Sequence, residues 1–205
     1  LSRAYSFTCA TFDSATSLGL RLGNGNGTFS APVALAPADN CSGIVACDLN
    51  GDGKLDLATQ DNLTSGVNIY LGNGNGTFKG AASYESDEGA SMVHVAYVNG
   101  DDVLDIVSAF GPASAGILIG NGNGTFKATS SLPADSRDGC AVTTVDVNHD
   151  DVDDLVLVTF HETLNGLADV FISNGNGTFH AAERSYLNAG ISTDVVTGDF
   201  NGDGE

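Results

Sequence analysis

The sequence predicts an all-β chain, a β-propeller built from about four four-stranded blades of ~50 residues each, on its own or as part of a larger propeller or repeat array. Three observations predict it. Two unrelated motifs recur at one shared interval. The runs between them are short, apolar and rich in β-branched residues. No stretch carries the 3.6-residue periodicity of an amphipathic helix.

The first motif is Gly-Asn-Gly-Asn-Gly-Thr-Phe at 23–29, 72–78 and 120–126, with serine in first place at 173–179. Its closing phenylalanines, Phe29, Phe78, Phe126 and Phe179, fall 49, 48 and 53 residues apart. The second motif is acidic: Asp-Leu-Asn-Gly-Asp-Gly-Lys-Leu-Asp at 48–56, then Tyr-Val-Asn-Gly-Asp-Asp-Val-Leu-Asp at 97–105. It continues as Asp-Val-Asn-His-Asp-Asp-Val-Asp-Asp at 146–154 and Asp-Phe-Asn-Gly-Asp-Gly-Glu at 199–205. Its starts lie 49, 49 and 53 residues apart. Two motifs on one beat define a single structural unit.

Each unit reads as strands in a fixed order. Apolar runs at 44–49 and 93–98 lead into the acidic loop, and runs at 55–59, 104–108 and 155–159 leave it. A third run, 67–71, 117–119 or 170–172, feeds the Asn-Gly-Asn-Gly turn, where Asn-Gly is expected to supply the positive φ angles of a tight hairpin. A weaker fourth strand follows each phenylalanine, as at 78–84 and 126–130. The whole chain, 1–205, is expected to be one domain or segment, with repeats near 1–40, 41–89, 90–138 and 139–190 and the start of another at 191–205. Read end to end, 199–205 and then Leu1 continue the acidic motif, so the ends either share a blade or belong to a longer repeat chain.

Composition narrows the partners. Seven Lys and Arg against 26 Asp and Glu give a formal charge of −19, which repels phosphate backbones and anionic membranes. Nucleic acid is therefore excluded as an expected partner. No apolar run approaches the ~20 residues of a membrane-spanning helix, so no insertion is expected. The first residues lack the basic-then-apolar layout of a signal peptide, which is expected to have been removed. Such a chain invites cations.

The acidic loops supply the means. Asp48, Asn50, Asp52 and Asp56 hold positions 1, 3, 5 and 9, with Gly51 and Gly53 permitting a sharp bend and the Lys54 carbonyl at position 7. Oxygen donors at alternate positions of a tight turn suit a hard cation such as Ca²⁺ better than Mg²⁺, which prefers strict octahedral geometry. Zinc would call for Cys or His. The third loop keeps the pattern with Asp146, Asn148, Asp150, Asp154 and the Val152 carbonyl. The second has Tyr97 in first place, leaving Asn99, Asp101, Asp105 and the Val103 carbonyl, and weaker binding is expected there. The fourth offers Asp199, Asn201 and Asp203. A cation in these loops would offset carboxylate repulsion and tie two strands together.

Strand, Asp-x-Asn-Gly-Asp-Gly-x-x-Asp, strand, then Gly-Asn-Gly-Asn-Gly-Thr-Phe resembles the FG-GAP/VCBS repeats of integrin α subunits and many secreted proteins. The resemblance covers essentially the whole chain. It implies a propeller with calcium in its hairpin loops, an extracellular or cell-surface location, and adhesion or recognition of an extracellular protein or glycan. Lectins and the accessory propellers of secreted enzymes share the fold. Register at the ends also allows copies of the chain to join into a fibre.

Other residues carry weaker signals. The four motif phenylalanines are expected as wedges between sheets, and Tyr70, Tyr84, Tyr97 and Tyr186 are candidate sugar contacts. His94, His149, His161 and His180 form no catalytic or HExxH pattern, so no enzyme activity is expected. His149 is expected to face solvent. Cys9, Cys41, Cys47 and Cys140 permit two disulfides in three pairings, although a straight strand would hold Cys41 and Cys47 too far apart to bridge. Asn26, Asn40, Asn62, Asn75, Asn123 and Asn176 satisfy the glycosylation sequon, conditional on a eukaryotic secretory origin.

Overall fold

Residues 5–12, 15–37, 43–61, 66–85, 90–110, 114–128, 132–133, 138–161, 164–181, 183–187 and 195–201 are described in a computed structural model of the chain. Sixteen strands and no helix occur among them. They form four separate antiparallel sheets, each a meander of sequential strands.

The first sheet holds β1 (Tyr5–Phe12), β2 (Ala15–Leu22) and β3 (Val33–Pro37). The second runs β4 (Ile44–Cys47), β5 (Asp56–Asp61), β6 (Gly66–Tyr70) and β7 (Ala82–Glu85). In the third, β8 (Ala90–Ala96), β9 (Asp105–Phe110) and β10 (Ser114–Gly120) precede two short pieces, β11 (Phe126–Ala128) and β12 (Leu132–Pro133), which both pair with β10. The fourth is β13 (Asp138–Val145), β14 (Asp154–His161), β15 (Leu164–Phe171) and β16 (Glu183–Tyr186). These are the expected blades, and the sheets do not close into a barrel.

The acidic loops join the first and second strands of the second to fourth sheets, with Cys47 opposite Asp56, Ala96 opposite Asp105 and Val145 opposite Asp154. The Asn-Gly hairpins join the third and fourth strands. In an up-and-down meander both connections fall at the same end of the sheet, so each acidic loop has a hairpin beside it.

Side chains alternate across each strand, and the two faces feed different cores. Leu57 on β5 packs with Tyr70, Ile44 and Phe78 on the side nearer the first sheet. Its neighbour Ala58 turns the other way and joins Val67, Ile69, Val93, Ile106 and Phe126 between the second and third sheets. Val107, next to Ile106, joins Ile117, Val142, Leu155 and Phe171 between the third and fourth. The second and third of these cores lie between sheets rather than inside one, which is face-to-face blade packing. Burying a Leu or Ile this way contributes about 1.5–3 kcal/mol.

Two of the motif phenylalanines serve as the expected wedges between sheets, Phe126 and Phe179, while Phe78 packs with Leu57 and Tyr70 of its own sheet. Phe29 corrects the expectation. It is 47% exposed, because no described sheet lies on that side of it.

Candidate metal centres

The hairpin is wider than a two-residue turn. Gly72 bridges Phe78, and Asn73 N–H donates to the Thr77 carbonyl at 2.9 Å, leaving Gly-Asn-Gly at the tip. Positive φ falls on Gly74 (77°) and Gly76 (86°), not on Asn73 or Asn75. Side chains lock the tip: Asn73 Nδ2 donates to Thr77 Oγ1 at 2.9 Å, and Thr77 Oγ1 donates to Asn75 Oδ1 at 2.7 Å. Asn24, Asn121 and Asn174 begin the same relay in the other three hairpins. This explains why threonine stands in every copy.

In the first acidic loop, Asp48 Oδ1 accepts from Asn50 N–H at 3.3 Å and Asp52 N–H at 3.1 Å, and its Oδ2 accepts from Gly53 N–H at 2.7 Å. Asn50 Oδ1 also accepts from Asp52 N–H, and Asp52 Oδ1 accepts from Lys54 N–H. These are nested Asx turns, with the oxygens of positions 1, 3 and 5 turned into the loop. The third loop repeats them with a different sequence: Asp146 accepts from Asp150 and Asp151, Asn148 from Asp150, and Asp150 from Val152. The positions of Gly51 (72°) and Gly53 (77°) are taken there by His149 (62°) and Asp151 (66°). Non-glycine residues in this region carry strain of about 1–3 kcal/mol, so the loop holds its shape against a local cost. His149 is exposed, as expected.

The second loop lacks the first-position carboxylate. Asp101 accepts from Val103 N–H and Asn99 Oδ1 from Asp101 N–H, with Asp102 at φ 60°. Nothing in this loop takes the role of Asp48. Instead Tyr97 N–H donates to Asp153 Oδ2, from the third loop, at 2.8 Å. Asp199 and Asn201 of the fourth loop are described, whereas Asp203 lies outside the described residues.

Position 9 has a task that spacing alone did not reveal. Asp56, Asp105 and Asp154 are fully buried. Oδ2 of each accepts an N–H from the loop's second residue, Leu49, Val98 or Val147, at 3.0 Å. Oδ1 of each accepts an N–H from the adjacent hairpin: Gly72 at 2.7 Å, Gly120 at 2.8 Å and Ser173 at 2.8 Å. One carboxylate thus fastens loop to hairpin in every complete sheet. The signal for this was present in the sequence, since the acid is followed at once by an apolar strand and so had to be buried.

Charge follows the same division. Burial pushes Asp105 up to about 6, against the pull of the Gly120 and Val98 amides. Asp56 is also raised by burial, with the Gly72 and Leu49 amides opposing. The exposed Asp52 is lowered chiefly by its hydrogen bond to Lys54, whose ammonium lies 2.9 Å from Oδ2. Asp146 is lowered as well. Desolvation is its largest single influence and acts upward, but the Asp151, Asp150 and His149 amides together outweigh it.

The donor chemistry fits a hard cation, because every candidate side-chain ligand is an oxygen. Among the described residues no three carboxylate, imidazole or thiol side chains gather into a ready-made cluster. The loops instead satisfy their oxygens on their own amides. Lys54 places a positive charge on Asp52, so a cation in the first loop would compete with that ammonium.

Two contacts were missed from sequence. Ser173 replaces a glycine whose counterparts, Gly72 and Gly120, have the Leu55 and Leu104 carbonyls against them. Its Oγ donates to the Val98 carbonyl of the neighbouring sheet at 2.8 Å. Tyr84 likewise crosses a boundary: Phe126 N–H donates to Tyr84 Oη at 2.9 Å, with the rings edge to face at 5.7 Å. Of the other tyrosines, Tyr70 is buried, while Tyr97 and Tyr186 are 44% and 67% exposed. Cys47 has a free thiol, and Cys41, Asn40 and Asn62 lie outside the described residues.

Residues 7–59 and 97–157 match the FG-GAP-like repeat family, more than half of the chain. The chain belongs to the FG-GAP-like repeat family. No curated protein matches it. A solved structure from Agrocybe aegerita, a lectin described as specifically recognising non-reducing terminal N-acetylglucosamine, superposes with a TM-score of 0.58 at 20% identity. The match covers 86% of this FG-GAP-like chain and 48% of the lectin chain, so this chain spans about half of that relative's length. At this identity the likeness concerns the fold.

Proposed function

We propose that this FG-GAP-like chain is a non-enzymatic, calcium-binding repeat protein of the extracellular space or cell surface, acting in adhesion or recognition of an extracellular protein or glycan. One observation carries the reading. The first and third acidic loops hold the same inward arrangement of oxygens despite different sequences, the third with His149 and Asp151 at positive φ.

Calcium would draw on Asp48, Asn50, Asp52 and the Lys54 carbonyl in the first loop, and on Asp146, Asn148, Asp150 and the Val152 carbonyl in the third. Asp56 and Asp154 would brace each loop against its hairpin. When bound, the ion would supply positive charge that relieves repulsion in a chain of −19, and binding to the folded state alone adds stability. Asn99, Asp101 and the Val103 carbonyl would form a weaker site braced by Asp105, and Asp199, Asn201 and Asp203 a fourth.

Calorimetric titration with Ca²⁺ tests this. Heat from two tighter sites is expected, with one lost in each of Asp48→Ala and Asp146→Ala. A flat titration of the wild type would reject the reading.

A second reading, carbohydrate binding, is favoured by the lectin likeness and by the exposed rings of Tyr97 and Tyr186. Binding on a glycan array, abolished in Tyr97→Ala or Tyr186→Ala, would support it. An array without hits would leave protein adhesion as the remaining role.

A further inference from the structure

Three residues break the repeat at the junction of the third and fourth sheets, and all three make contacts across it. Tyr97 replaces the first-position aspartate, Asp153 stands where the first and second loops have Leu55 and Leu104, and Ser173 takes the place of Gly72 and Gly120. Asp153 Oδ2 accepts the Tyr97 N–H at 2.8 Å, and the Asp153 N–H donates to the Tyr97 carbonyl at 3.0 Å. Ser173 Oγ donates to the carbonyl of the next residue, Val98, at 2.8 Å. The Val152 side chain and the Gly175 carbonyl each lie 3.6 Å from the point a Cβ on Gly100 would occupy. Tyr97, Val98 and Gly100 are thus held from outside their own loop.

The first loop is built the other way. Asp48 gathers the Asn50, Asp52 and Gly53 amides from within, and no described atom lies within 4 Å of a Cβ on Gly51, the counterpart of Gly100. The third loop gathers the Asp150 and Asp151 amides on Asp146 in the same manner. The second loop has no such carboxylate, and its neighbour takes over the task. Val152 and Asp153, which hold Gly100 and Tyr97, are positions 7 and 8 of the third loop itself.

We propose that the second acidic loop is a dependent site: Asp153 and Val152 position its backbone, so that it takes a cation more tightly once the third loop is filled. This rests on the calcium reading of the loops. Asp153 is a positioning residue, since its tie is to the Tyr97 backbone and not to Asn99 or Asp101. Ordering a loop opposes binding, and a filled third loop has already ordered the residues that brace the second. Coupling of this kind amounts to a factor of about 5–150 in affinity.

The test is a Ca²⁺ titration of the ¹⁵N-labelled chain, with the amide signals of Gly53, Gly100 and Asp151 reporting the first, second and third loops. Gly53 and Asp151 should move at lower calcium than Gly100. Asp146→Ala should abolish the Asp151 movement and raise the Gly100 midpoint about tenfold, with Gly53 unchanged. Asp153→Ala, which leaves the third-loop ligands in place, should raise the Gly100 midpoint by a similar factor. Adding Asp146→Ala to Asp153→Ala should then shift it no further, an outcome that general loosening of the fold would not give. Asp153→Asn keeps an acceptor oxygen, should fall between, and serves if Asp153→Ala misfolds. A Gly100 midpoint that is the same in wild type, Asp146→Ala and the Asp153 variants would refute the coupling while leaving the calcium reading intact. So would a Gly100 signal that never moves while Gly53 and Asp151 do. If none of the three signals moves in the wild type, the calcium reading itself fails and the coupling with it.

Discussion

Asp153 holds Tyr97 from across a sheet boundary: its Oδ2 accepts the Tyr97 N–H at 2.8 Å, and its own N–H donates to the Tyr97 carbonyl at 3.0 Å. The two residues belong to different acidic loops, 56 positions apart. Tyr97 stands where the other loops carry a first-position aspartate. The loop with the poorest set of cation donors is thus the one whose start is tied directly to its neighbour.

Removing that carboxylate should loosen the junction. Asp153→Ala loses one charge-assisted hydrogen bond at a partly exposed site, at a cost of about 1 kcal/mol. For a chain of this size that lowers the melting temperature by about 2–4 °C. Asp153→Asn keeps an acceptor oxygen and should melt closer to the wild type. Equal melting of Asp153→Ala and wild type would show that the reciprocal backbone bond alone carries the contact.

The buried carboxylates should matter far more. Asp154→Ala leaves the Val147 and Ser173 amides without their acceptor, and each unsatisfied buried group costs about 1–3 kcal/mol. Urea unfolding should show a loss of several times that of Asp153→Ala. Asp154→Asn, with a single acceptor oxygen, should fall between. The same order is expected at Asp56 and Asp105, and a neutral Asp154→Ala would remove these residues as the fasteners between loop and hairpin.

Acid should act on Asp105 in a defined direction. Its folded pKa of about 6 stands above the ordinary 3.8, so between these values the folded state binds the proton more readily than the unfolded chain. The contribution of this group favours folding at the acidic end and is lost as pH rises through about 6. In chelator, unfolding free energy of the wild type relative to Asp105→Asn should decline across that window. Parallel pH profiles for the two proteins would place the folded pKa near its ordinary value.

Cys47 should be slow to react. Burial first, then the Asp56 and Asp48 carboxylates, push its thiol up to about 12, so very little thiolate exists near neutrality. Peptide mapping after iodoacetamide treatment at pH 8 should find Cys47 unmodified in the folded protein and alkylated in urea. Rapid labelling without denaturant would mean that β4 opens readily.

Much of this protein was legible because its chemistry is local. Gly-Asn-Gly-Asn-Gly-Thr-Phe closes on itself within seven residues, and Asp48, Asn50 and Asp52 bond amides two to five positions away, so neighbours in sequence determine both shapes. Their common period then implies repeated sheets. The order of strands within each sheet and the positions of the acidic loops follow from that period and from turn chemistry. What only the tertiary structure decided is which faces meet. Asp56 turns to the hairpin amide of Gly72, 16 residues on, because a carboxylate carried at the start of a buried strand needs N–H donors within reach. Ser173 reaches Val98 across 75 residues, and Phe29 is exposed where its three counterparts are packed. Repetition makes the units alike, but the surroundings of each depend on the neighbour it packs against, and that information is spread over residues too distant for any local pattern to carry.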